Sequence, residues 1–152
     1  MPGSWRGAVA GLVATLALVI ILNVQTALGV MPQAHIITLL SSLGSIGRGG
    51  AWADHFIVGV LVWGLTFGAI APLVPKWPDW LKGIVFGIVA WLLMMLIFMP
   101  VVGAGLFAKK LGIEAAAFLL GLHLIFGIVL GVTYSLLAVW IPVKNAASAP
   151  QI

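Results

Sequence analysis

The sequence has no cysteine, and of its 152 residues only seven are Lys or Arg and three Asp or Glu. Without thiols there is no disulfide framework, no thiolate metal site and no thiol redox chemistry. So few carboxylates leave no catalytic pair, and no nucleophile–base constellation or phosphate-binding loop accompanies them. The glycine-rich "GSIGRGG" is not GxGxxG and follows no strand. The expectation is a non-catalytic protein. The net charge of +4 is dispersed over connecting segments. Nucleic-acid binding would need a basic stripe, and none is present.

What is present is apolar sequence. Hydrophobic residues make up 63% of the chain and charged residues 7%, a balance that no soluble domain of this size requires. Four runs are long enough to cross a hydrocarbon core, which needs roughly 20 helical residues: about 7–30, 53–74, 82–101 and 113–143. Backbone groups in lipid must be satisfied within the segment, so these runs are expected as helices. The period-2 alternation of a membrane barrel is missing. The expected fold is therefore all-α, a four-helix transmembrane bundle in a single domain over 1–143, with a disordered tail at 144–152. The first run resembles a signal peptide, with Arg6 as its charged end. Its apolar core exceeds the 7–15 residues typical of such peptides, and a retained helix is expected.

Arg6, Lys76, Lys82 and Lys144 fall on the side of the termini, and Arg48, Lys109 and Lys110 on the other. Four against three favours both termini in the cytoplasm. Trp5, Trp77, Trp80 and Trp140 mark the terminal interface, and Trp52 the opposite one. Small residues recur as GxxxG at Gly7/Gly11, Gly64/Gly68, Gly83/Gly87 and Gly127/Gly131. Such pairs let helices approach closely, and their abundance points to a homo-oligomer or to docking on a larger membrane complex. Transport by an oligomer is a further alternative.

Displacing the sequence by 68 residues aligns Met31-Pro32 with Met99-Pro100, Leu43-Gly44 with Leu111-Gly112, and His55, Ile57 and Gly59 with His123, Ile125 and Gly127. Segments 31–59 and 99–127 both read M-P-x10-L-G-x10-H-x-I-x-G. A duplicated two-helix unit repeats in the same membrane orientation. In an up-down bundle the second and fourth helices are then diagonal, and His55 and His123 face each other across the centre. The Met-Pro pairs are expected to end the first and third spans. Asp54 either complements the start of the second helix or orients His55 as an outer carboxylate. Asn23 and its repeat equivalent Trp91 are expected in the same buried layer.

Ionisable side chains inside a span are functional candidates. Three roles remain open for His55 and His123. They hydrogen-bond neighbouring helices; or they are axial ligands of a haem b, with the downstream glycines leaving room for the macrocycle; or, with His35, Asp54 or Met31, they bind copper or zinc or relay protons. His35 has Gly103 as its equivalent and is expected to be a loop histidine.

The stretches "VMPQ", "WADHFIVG", "WLLMMLIFMPVVGAGLFA" and "LHLIFGIVLGVTY" resemble an uncharacterised family of small four-span bacterial membrane proteins. The likeness covers nearly the whole chain. It implies a bacterial inner-membrane location and four helices, and it assigns no site residue. The reading that combines these points is an accessory or assembly subunit of a larger membrane complex, a respiratory one among the options.

Overall fold

The computed structural model describes residues 2–42, 47–74 and 76–140. Four helices are long and apolar enough to cross a membrane: α1 (Pro2–Leu28), α3 (Gly47–Leu73), α4 (Asp79–Val101) and α5 (Ile113–Trp140). A short helix, α2 (Ile36–Ser41), lies in the first connection. No strand occurs among the described residues. Ile20, Leu28, Ile97 and Leu136 are each more than half exposed. That outer surface would be a liability in water and is ordinary against lipid. The tail at 144–152 lies outside the described residues, as does Leu43-Gly44 of the repeat.

Chain punctuation follows the prolines. Pro78 is extended, at φ −65° and ψ 144°, and precedes the first turn of α4. There Asp79 accepts a 2.7 Å ion pair from Lys82, a carboxylate well placed at a positive helix end. Glu114 takes the same position in α5. Asp54 does not: α3 starts at Gly47, so Asp54 lies two turns inside it.

The two Met-Pro pairs differ. Met31 sits beyond the end of α1 in a left-handed conformation, φ 45°, and leads into a tight turn at Pro32–Ala34. Met99 is helical and fully buried, and α4 continues through it to Val101. The expectation that Met-Pro closes the third span is met to within one residue, the helix ending at Val101. Just before Pro100, the stretch Met94–Phe98 widens to i→i+5 bonding. The ring of a helical proline presses on the carbonyl four residues earlier, here Leu96, and the wide turn gives it room. A second wide stretch, Ile57–Gly64, lies in α3; no proline accounts for it.

Packing is set by glycine. Gly3, Gly7 and Gly11 of α1 meet Gly68, Gly64 and Gly59 of α3, so that a methyl on Gly64 would stand 2.7 Å from the Gly7 carbonyl oxygen. Gly83 and Gly87 of α4 meet Gly127 and Gly131 of α5 in the same way, backbone against backbone. These GxxxG pairs are therefore used within the chain. α1 also packs on α5, where Ala10 and Ala14 lie in one buried cluster with Phe126, Leu130 and Tyr134. A second cluster, toward the first connection, gathers Leu22, Met95, Met99, Ala108 and Leu119. On the remaining side, α3 and α4 meet through the rings of Trp63, Phe67 and Phe86, whose centroids are 5.4–5.8 Å apart. The ring order of the bundle is thus α1, α3, α4, α5, with α3 and α5 diagonal.

Gly127→Leu is expected to lower stability by about 1–3 kcal/mol, because the added side chain has backbone to displace. Gly121→Ala, whose methyl meets nothing within 4 Å, is expected to stay within about 0.5 kcal/mol of the parent. Thermal unfolding in detergent, followed by circular dichroism, checks the pair.

Candidate functional site

Where the two buried clusters meet, the bundle encloses a cavity of about 370 Å³. Every spanning helix contributes to it, and so do Ile36 and Leu40 of α2. Glycine contacts hold α1 to α3 and α4 to α5, while the ring cluster closes the α3–α4 side at one end only. Val58, Leu93 and Ile97 line the cavity yet are 38%, 40% and 60% exposed. The chamber therefore opens between α3 and α4 on a surface that faces lipid. Both wide turns border it: Val58, Gly59 and Trp63 come from one, and Met94, Ile97 and Phe98 from the other. Wide turns recur at functional positions in helices.

The side chains of the lining with polar atoms are Thr15, His55, His123 and Trp63, the last through its indole N–H. The expectation that His55 and His123 come to one place from diagonal helices is met. At 1.5 Å per residue, His55 lies about 12 Å and His123 about 15 Å along their helices. His123 Nδ1 lies 2.8 Å from the Leu119 carbonyl oxygen. A carbonyl only accepts, so Nδ1 carries the proton of this bond. In a neutral ring Nε2 then holds a lone pair. A methyl on Gly87 would collide with the His123 carbonyl oxygen, so that glycine lets α4 approach the backbone at this histidine. The His55 ring stands edge-on to Trp52 and Phe56, at 6.1 and 6.4 Å. Its Nε2 is buried and has no hydrogen-bond partner.

The surrounding residues expected from sequence are not at the cavity. Asn23 is exposed on α1, where its amide donates to the Val19 carbonyl at 2.7 Å. Trp91 faces away from the cavity: its indole N–H donates to the Ala116 carbonyl at 3.1 Å, and its ring packs on Phe107. Asp54 is half-buried, with no hydrogen bond or ion pair to His55 among the described residues. The glycines after the histidines do not leave room for a macrocycle either. The space beside Gly59 is filled by Thr15, and that beside Gly127 by Gly83 and Gly87.

His35 is buried and ties the first connection to α1, its Nε2 lying 3.0 Å from Thr26 Oγ1 and 3.4 Å from the Leu22 carbonyl oxygen. Gln25, also buried, donates to the Met31 carbonyl at 3.0 Å. Met31 Sδ accepts from Gln33 at 3.3 Å. His35 and Met31 thus belong to the turn beyond α1, and no group of three or more His, Asp or Glu side chains is poised for a metal ion among the described residues. The residues that sequence reasoning missed are Thr15, Trp63 and Phe126, which read as ordinary packing until the helix pairs are set.

If the cavity holds His55 without a partner, removing its polar atoms relieves a desolvation cost of about 1–3 kcal/mol. Purified, ligand-stripped His55→Leu is expected to unfold at a higher temperature than the parent. A lower temperature would mean that the imidazole is satisfied in the empty protein.

No curated protein and no solved structure is similar to the chain at a significant level. A family model does match, over residues 1–140. The chain belongs to that family, DUF6789, a family of unknown function.

Proposed function

We propose that this integral membrane protein is a non-catalytic binder of a neutral lipophilic ligand, held in the central cavity by His55 and His123. The observation that carries this reading is the chamber itself, about 370 Å³, open toward lipid and lined by His55 and His123 from diagonal helices. Cavities with apolar walls and a few converging polar groups are the usual form of a small-molecule site. The accessory-subunit reading rested on the family resemblance and on the GxxxG pairs. Since the pairs are consumed inside the bundle, the cavity is the stronger basis. A bacterial inner-membrane location with cytoplasmic termini remains part of the proposal, supported by the basic residues, four against three.

Haem b is the rival occupant. The imidazoles suit it: a ligating histidine usually donates its other ring N–H to a carbonyl, as His123 does. The rest of the cavity does not suit it. Its lining has no Lys or Arg, so propionates inside it would be buried charges without partners, at large cost.

Protein purified in mild detergent from its own membranes is the test. Solvent extraction and mass spectrometry are expected to find one lipophilic compound near one per chain, reduced at least about tenfold in the double variant His55→Leu/His123→Leu. Bulk lipid in bulk proportions, equal in both proteins, would contradict the proposal. A Soret band lost with either histidine would replace the ligand with haem.

A further inference from the structure

The lipid-facing side of α1 carries a pattern that packing inside the bundle does not account for. Val9, Val13, Leu16, Ile20, Asn23 and Ala27 are all exposed, and the steps between them are four, three, four, three and four residues. That is the alternation of the a and d positions of a heptad seam. At about 100° per residue the positions fall in one narrow stripe. The stripe lies opposite the face of Gly7, Ala14, Leu22 and Gln25, which is buried in the bundle. Contact with lipid requires apolar residues there, but it requires no such spacing and no amide.

Asn23 is the second, independent observation. It stands in the stripe with its side chain exposed, five residues and so about 8 Å before the end of α1 at Leu28. One amide N–H is spent on the Val19 carbonyl, at 2.7 Å. The second N–H and Oδ1 have no partner among the described residues. An unpaired amide is costly in apolar surroundings, and polar side chains within spans normally turn toward protein. Gln25, the other amide of α1, obeys this rule: it is buried and donates to the Met31 carbonyl. Asn23 does not obey it within one chain.

A second copy of the chain accounts for both observations. Copies that share one membrane orientation bring their first helices together in parallel. A two-fold axis along the membrane normal then sets each seam residue against its own equivalent. A carboxamide is its own complement, since it both donates and accepts. A single Asn in an otherwise apolar seam is also the device that fixes register and partner number in parallel helix pairs. One heptad before Val13 the same register reaches Arg6, where like charges would meet. The Arg6 guanidinium is instead drawn over the Tyr134 ring of its own chain, 4.9 Å from the centroid.

We infer that α1 is the interface of a parallel homodimer, packed along 9–27, with the two Asn23 amides bonded to each other across the two-fold axis. The interface uses none of the glycine pairs, which are occupied within each chain. It is also independent of the ligand reading. α1 is diagonal to α4 in the bundle, so pairing through α1 leaves the opening between α3 and α4 facing lipid in each copy.

The lack of cysteine in the chain makes the interface directly readable. Single-cysteine variants of the full protein are oxidised in native membranes, and covalent dimer is measured on gels. Val13→Cys, Leu16→Cys and Ile20→Cys are expected to cross-link strongly. Leu61→Cys on α3 and Ile125→Cys on α5, also exposed, are expected to stay at background. In liposomes, energy transfer between donor- and acceptor-labelled chains is followed as the protein is diluted with lipid. Asn23→Val is expected to weaken dimerisation about tenfold or more, through loss of two symmetry-related amide bonds. Asn23→Gln, which keeps the carboxamide, is expected to lie closer to the parent than to Asn23→Val. No covalent dimer at the seam positions overturns the inference, as does cross-linking centred on α3 or α5. A seam cysteine captured by a different protein in place of its own copy also overturns it, and so does unchanged dimerisation in Asn23→Val. Should Asn23→Val fail to fold, the cysteine pattern alone decides.

Discussion

The close approach of glycine backbones is the constraint on which the rest of the molecule depends. In lipid there is no hydrophobic force to drive one apolar helix onto another, so contact must come from dispersion between surfaces that fit. Here Gly7 and Gly11 with Gly64 and Gly68 pinch α1 to α3, and Gly83 and Gly87 with Gly127 and Gly131 pinch α4 to α5. The two hairpins are joined through α1 and α5, with alanines, Phe126 and Leu130 between them. Once these contacts are made, α3 and α4 are left to be bridged by larger side chains. The bridge of Trp63, Phe67 and Phe86 closes one end, and the other end remains a chamber.

The chamber turns a packing outcome into chemistry. Most of its wall is apolar, which raises the significance of each polar atom in it. His123 is satisfied at one ring nitrogen by its own helix, a local bond that any helical histidine four residues after an accessible carbonyl is able to make. His55 has no such partner at Nε2. The two imidazoles are related in sequence by the 68-residue displacement, yet they are unequal in the fold. The inequality does not come from Asp54, which stands outside the cavity. It comes from the hydrogen bond to Leu119 and from the different helix geometry on each side: α3 is wide-turned after His55, and α5 is regular around His123.

Much of this was legible in the sequence, for physical reasons that can be named. Length and hydropathy determine spanning helices because the bilayer allows few alternatives, and the four spans fall where the apolar runs are. The convergence of His55 and His123 followed from the repeat and from the diagonal relation of alternate helices. The neighbours of the histidines did not follow. Asn23 was placed by depth and Trp91 as its repeat equivalent, and depth says nothing about rotation around the helix axis. The wide turns at Ile57–Gly64 and Met94–Phe98 change that rotation partway along α3 and α4, and a 3.6-residue period read from sequence carries no trace of them. The glycines were read as contact points, within the chain or against partners. Only the geometry shows that they face one another.

The central claim, that two inequivalent imidazoles face an occupant drawn from the bilayer, is tested most directly by nitrogen NMR of ¹⁵N-histidine-labelled protein in lipid bilayers. Spectra are compared for stripped protein and for protein reloaded with lipid extract from its own membranes. The account predicts that His123 is in the Nδ1–H form in both states, and that the Nε2 resonances of His55 and His123 both move on reloading while His35 does not. Identical spectra in the two states, or a His123 ring protonated at Nε2 alone, would contradict it.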